Sequence, residues 1–119
     1  MAEIAIVAGT LVALALGVSY WDALAADVVL TTGFWLVVAG LAFGLPTGAV
    51  YHAALRRSLA RVGRLPERWW LHPISHHGLM PHEDRAHVLA WCRAGALGCG
   101  VVFVGCAVIA LGAWRAAAG

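Results

Sequence analysis

The groups able to do chemistry in this chain are concentrated in one short stretch. His72, His76, His77 and His82 fall within 13 residues that end in Glu83 and Asp84, and neutral imidazole is a common ligand for zinc, copper, iron and nickel. Their spacing matches no closed metal site. Pro73 stops His72 and His76 from acting as a one-turn helical pair, adjacent His76 and His77 diverge, and the nearby arginines repel a cation. The four are candidate metal ligands, set against a plainer reading in which they bond to backbone, lipid phosphate or a partner chain.

A second pair is His52 and His87. Each sits near the same end of an apolar segment, at comparable depth if the two segments form a regular hairpin. One histidine on each of two helices is what axial ligation of a haem or a chlorophyll-type pigment requires, and the same pair would contact a quinone headgroup. Both residues lie at span boundaries, where histidines also have ordinary solvated roles. No nucleophile–base pair, phosphate-cradling glycine loop or pair of catalytic carboxylates is visible. The chain is therefore expected not to be an enzyme alone, although it would fit within an enzyme complex.

The elements that must carry these residues follow from the charge pattern. Seven of the eight arginines and all six histidines lie between His52 and Arg93, and there is no lysine. Residues 4–21, 28–55 and 94–114 contain no Asp, Glu, Lys or Arg. A charge at a bilayer centre costs roughly 2.5–3.5 kcal/mol on insertion scales, and about 20 apolar residues cross the ~30 Å hydrocarbon layer. With 119 residues, 62% of them hydrophobic and 12% charged, a soluble fold would lack the polar surface to wrap three such runs.

The expected fold is an all-α integral membrane protein forming one domain. Its helices occupy about residues 4–21, 28–62 and 81–115, with an interfacial loop at about 63–80. Ala23-Leu24-Ala25 resembles a signal-peptide cleavage site, but the leading Met1-Ala2-Glu3 has no positive charge and the apolar run is long for a signal core. The first helix is expected to be retained.

The second span carries Gly33, Gly40, Gly44 and Gly48 close to one helical face, where glycine lets another backbone approach closely. Pro46 removes the bond to the Ala42 carbonyl and is expected to set a kink, with Thr47 softening the loss. In the third span Gly98, Gly105 and Gly112 form one seven-residue row and Cys92, Cys99 and Cys106 an adjacent one, suited to left-handed packing. Cysteines in such a row are about 10 Å apart along the axis, beyond disulfide reach, and read as small apolar packing groups.

Between these spans, Leu55, Leu59 and Val62 alternate with Arg56, Arg57 and Arg61 until Gly63 supplies a stop. Pro81 followed by His82, Glu83 and Asp84 has the chemistry of a helix start. The arginine cluster places the loop and N-terminus in the cytoplasm and the C-terminus on the opposite side. Trp21 and Trp114 then mark the outer interface, and Trp69, Trp70 and Trp91 the inner one.

The leading functional expectation is a small accessory subunit of a larger membrane complex. It would pack on other transmembrane subunits through its Gly and Cys rows, and dock anionic lipid or a cytoplasmic partner through Arg56, Arg57, Arg61, Arg64, Arg68, Trp69 and Trp70. Nucleic acid is not expected, because the loop is tied to the membrane surface. One alternative is an electron-transfer subunit holding haem, pigment or quinone at His52 and His87. Another is a homo-oligomeric pore, since glycine-faced helices can ring a hole. Few polar side chains lie in the spans, which argues against a carrier. A composition heavy in Ala, Gly and Arg makes a bacterial inner membrane the default location.

Overall fold

The computed structural model describes residues 9–13, 15–17 and 25–119. Two long helices dominate it, α1 (Ala26–Arg61) and α2 (His82–Ala118), joined through a short 3-10 helix at Pro73–Leu79. Among the described residues there is no strand. Both long helices are long and apolar enough to cross a membrane, which suggests a membrane location. Two of the three expected spans are thus matched by helices that could cross a membrane. The first expected span, residues 4–21, lies mostly outside the described residues, of which 9–13 and 15–17 are helical.

At 36 and 37 residues each helix is roughly 55 Å long, against a hydrocarbon layer of about 30 Å. A helix of this length that crossed a membrane would project well beyond it. The charge pattern says at which end: the uncharged run of α2 begins at Ala94 and that of α1 ends at Leu55, so the projecting part is the basic end beside the connecting loop.

The local signals at the helix ends are chemically simple. Gly63 has φ +67, a left-handed conformation that costs other residues a steric penalty. It lets the Gly63 N–H reach Ala60 O at 3.1 Å and the Arg64 N–H reach Leu59 O at 3.0 Å, which satisfies carbonyls that the end of α1 would otherwise leave open. Pro81 stands at the start of α2, where it blocks nothing because its missing N–H would be unsatisfied anyway. Glu83 and Asp84 occupy the first turn, at the positive end of the helix dipole. Helix α1 runs unbroken through Pro46. Thr47 Oγ1 donates to Phe43 O at 2.8 Å and lies 3.2 Å from Gly44 O, giving a carbonyl beside the proline a second donor.

The two helices pack antiparallel along their glycine rows. A methyl group placed on Gly33 would stand 2.9 Å from Gly105 O, and one on Gly105 would stand 2.9 Å from Gly33 O. Gly40 and Gly98 repeat the arrangement, at 2.9 and 3.1 Å from each other's carbonyl oxygen. Backbones this close place each Cα–H against a facing carbonyl, a weak attraction repeated along the row. Farther along, Gly112 lies against Val29 and Leu30, and Gly95 against Gly48 and Thr47. Packing then changes character toward the loop. Tyr51, Leu55, Leu59, Met80 and Val88 are buried together, flanked by Ala54, Trp69, Trp91 and Cys92. Leu55 and Leu59 are fully enclosed, each contributing about 1.5–3 kcal/mol of burial.

Candidate functional site

The basic end of the hairpin is a packed stalk, built from the last three turns of α1, the first turns of α2 and the 3-10 segment folded against them. The side chains that pin it are spaced along α1 at helical intervals. Tyr51, Leu55, Ser58 and Leu59 all turn toward α2 and are buried, as residues four and seven or eight apart on a helix share a face.

Two polar contacts join separate parts of the chain. Tyr51 Oη and His77 Nε2 are hydrogen-bonded at 2.7 Å, with their rings edge to face at 5.9 Å, so α1 holds the 3-10 segment. Burial, and then the neighbouring Arg85 guanidinium, hold His77 below the ordinary histidine value. The neutral imidazole is favoured there because a second cation would face Arg85 in a partly dehydrated setting. Arg85 Nε is itself buried with no hydrogen-bond partner. On the other side of the stalk, Ser58 Oγ donates to Asp84 Oδ2 at 2.8 Å, and Arg61 Nη2 reaches Asp84 Oδ2 at 2.5 Å and Glu83 Oε1 at 3.1 Å. Arg61 and Glu83 are largely solvent-exposed, so their pair contributes little. The half-buried Asp84 with two donors is the stronger tie.

His52 and His87 are not brought together. The His52 ring lies 5.1 Å from Tyr51 and 5.9 Å from Trp69. His87 instead borders Trp91 at 6.5 Å and lines a cleft with Ala54, Arg57, Ser58, Arg61, Asp84 and Val88. At 100° per residue, position 52 and positions 54, 57 and 61 fall on opposite flanks of the α1 face that carries Tyr51 and Leu55. The two histidines therefore look out from opposite sides of the helix contact.

The four histidines of the loop are dispersed as well. His77 is engaged by Tyr51, His76 is half-buried, and His72 and His82 are exposed. The carbonyl of His72 accepts from the Ser75 backbone N–H at 3.2 Å and the Ser75 hydroxyl at 2.6 Å. Among the described residues no three His, Cys, Asp or Glu side chains converge to hold a metal ion.

The packing and docking residues divide sharply. Gly33, Gly40, Gly98, Gly105 and Gly112 are buried between α1 and α2, with Gly44 and Gly48 alongside. Cys92 is half-buried against the stalk core, whereas Cys99 and Cys106 are exposed; all three are free thiols. Arg56, Arg57, Arg64 and Arg68 are exposed. Trp69 packs on the stalk core while Trp70 points outward, 60% exposed.

Sequence reasoning missed Tyr51, Ser58, Met80 and Arg85. Tyr51 and Ser58 sit on the apolar stripe of Leu55 and Leu59, a signal that was present. Nothing in the sequence pointed Met80 or Arg85 inward. Chemically, the stalk offers a rim of exposed cations and aromatic rings on a packed base, which suits recognition of anions and of a lipid–water boundary. Compared with known protein families, curated proteins and solved structures, the chain matches none of them.

Proposed function

We propose that this chain is a small accessory subunit of a larger membrane protein complex, lying in a bacterial inner membrane with its stalk in the cytoplasm. The observation that carries the reading is what the helix pair leaves uncovered. The glycine rows already face one another, yet Phe34, Trp35, Leu45, Phe103 and Trp114 are all more than half exposed. Aromatic groups on the outer faces of an already zipped hairpin are suited to neighbouring transmembrane helices or lipid. The stalk adds a second, polar surface at Arg56, Arg64, Arg68 and Trp70 for a cytoplasmic partner or anionic lipid.

Gentle detergent extraction from native membranes, followed by identification of the chains that co-migrate, tests the proposal. A stoichiometric set of larger subunits is expected, released from the stalk when Arg56 and Arg64 are both changed to Glu. Migration as a homo-oligomer alone would overturn it in favour of the pore.

A further inference from the structure

We propose that the cleft between Arg57 and His87 binds the phosphate of an anionic phospholipid headgroup. The cleft has a volume of about 230 Å³ and is walled by Ala54, Arg57, Ser58 and Arg61 of α1 and by Asp84, His87 and Val88 of α2. Sites that enclose a whole small ligand run to roughly 300–1,000 Å³, so this one admits a headgroup rather than a cofactor. Its carboxylate is already matched, because Asp84 accepts from both Ser58 and Arg61. Arg57 has no ion-pair partner among the described residues and is exposed at the cleft wall. A free guanidinium, with an imidazole across the opening, presents N–H donors to an anion, and guanidinium geometry matches phosphate oxygens in pairs.

Depth identifies the source of that phosphate. Val88 precedes Ala94, the start of the uncharged run of α2, by six residues, about 9 Å at 1.5 Å per residue. The headgroup layer extends roughly 5–8 Å beyond the hydrocarbon on each side. Ala54 is the last residue but one of the uncharged run of α1, so the two helices bracket the apolar floor of the cleft between the hydrocarbon boundary and about 9 Å outside it, within reach of a lipid headgroup in the same leaflet. The proposal rests on the membrane placement given above.

The test uses the full chain in nanodiscs of phosphatidylcholine containing a minor fraction of phosphatidylglycerol, with phospholipids retained after detergent extraction counted by native mass spectrometry. Arg57→Gln and His87→Gln are expected to weaken retention of phosphatidylglycerol about tenfold or more, as loss of a charge-assisted bond implies. Arg57→Lys should restore part of it, and Arg93→Gln, an equal loss of charge at an exposed position outside the cleft, should change little. Equal losses in Arg93→Gln and the cleft variants would overturn the site in favour of diffuse attraction. Retention without preference for phosphatidylglycerol would also overturn it, as would full displacement by inorganic phosphate, which would mark a soluble anion as the ligand. Resistance to carbonate extraction is measured in parallel. A chain that carbonate releases overturns the membrane placement and the site together, whereas an inserted chain with no lipid preference overturns only the site.

Discussion

Replacing Gly98 with alanine should part the two helices, whereas the same change at Gly100 should not. A methyl group on Gly98 would stand 2.5 Å from Gly44 Cα, 2.8 Å from Gly44 N and 3.1 Å from Gly40 O. Carbon atoms rest at about 3.5–4.0 Å, so the helices must separate by about 1 Å there. The obstructing atoms belong to helix backbone, which has no rotamer to escape into. Overpacking of this kind costs about 1–3 kcal/mol, and a gap of 0.5–1 Å forfeits roughly a quarter to a half of each neighbouring contact. A loss of about 2 kcal/mol is expected, which lowers the folded-to-unfolded ratio by a factor of roughly 30. At Gly100 no described residue lies within 4 Å of the added methyl. There alanine should stabilise by about 0.5–1 kcal/mol, through the helix preference that glycine lacks. Reversible unfolding in mixed micelles of dodecyl maltoside and rising dodecyl sulfate, followed by tryptophan fluorescence, measures both, since Trp69 and Trp91 report on the stalk core. Equal shifts for the two variants would refute the glycine contact.

Acid should loosen the stalk through His77. Its folded value lies below the ordinary 6.5 because of burial and then Arg85, so the unfolded chain binds the proton more readily. The stability tied to neutral His77 is present in full above pH 6.5, declines below it, and is lost as pH falls through the lowered value. Unfolding midpoints measured from pH 8 down to pH 5 should show this decline, and His77→Gln should flatten that part of the profile. Ser58→Ala should cost about 1 kcal/mol and Asp84→Asn about 1–2 kcal/mol, discounted for the exposure of Arg61. Together they should cost less than their sum because both act on one carboxylate; full additivity in the same unfolding assay would show that they do not share a contact.

The sequence told more about axial position than about direction around a helix. Uncharged runs locate α1 and α2, because the absence of charge is itself the physical requirement of a span. Gly63 could be read as a stop because one residue type dominates left-handed helix ends. The glycine rows showed that a close contact exists, but a seven-residue period carries no information about the partner. That partner proved to be the other row of the same chain. His52 and His87 both belong to the loop end of the hairpin, yet depth fixes only one cylindrical coordinate, and the packed face between them puts them on opposite flanks. Imidazole counts made His77 a candidate ligand. Its contact with Tyr51 spans 26 residues and depends on how Pro73–Leu79 coils, which no periodic pattern encodes.

The two ends of the hairpin are held by different physics, and this separates their sensitivities. Between Gly33 and Gly112 cohesion comes from backbone proximity, which exclusion of a single methyl governs and which salt and pH leave alone. From Tyr51 to Val88 it comes from burial around Leu55 and Leu59 and from two polar ties whose members titrate or are screened. Substitution at Gly98 should therefore change helix separation without altering the pH profile, and substitution at His77 should do the reverse. The glycine faces are also turned inward. Under the proposed function a membrane partner would then be left with the outer surface of Phe103, Cys99 and Cys106, and a soluble or lipid partner with the arginine rim. Because Phe103 and Arg56 lie on the two separately held ends, replacing Phe103 by alanine should weaken association within the membrane while leaving stalk binding intact. Loss of both activities in that one variant would show that the hairpin transmits strain as a single rigid unit.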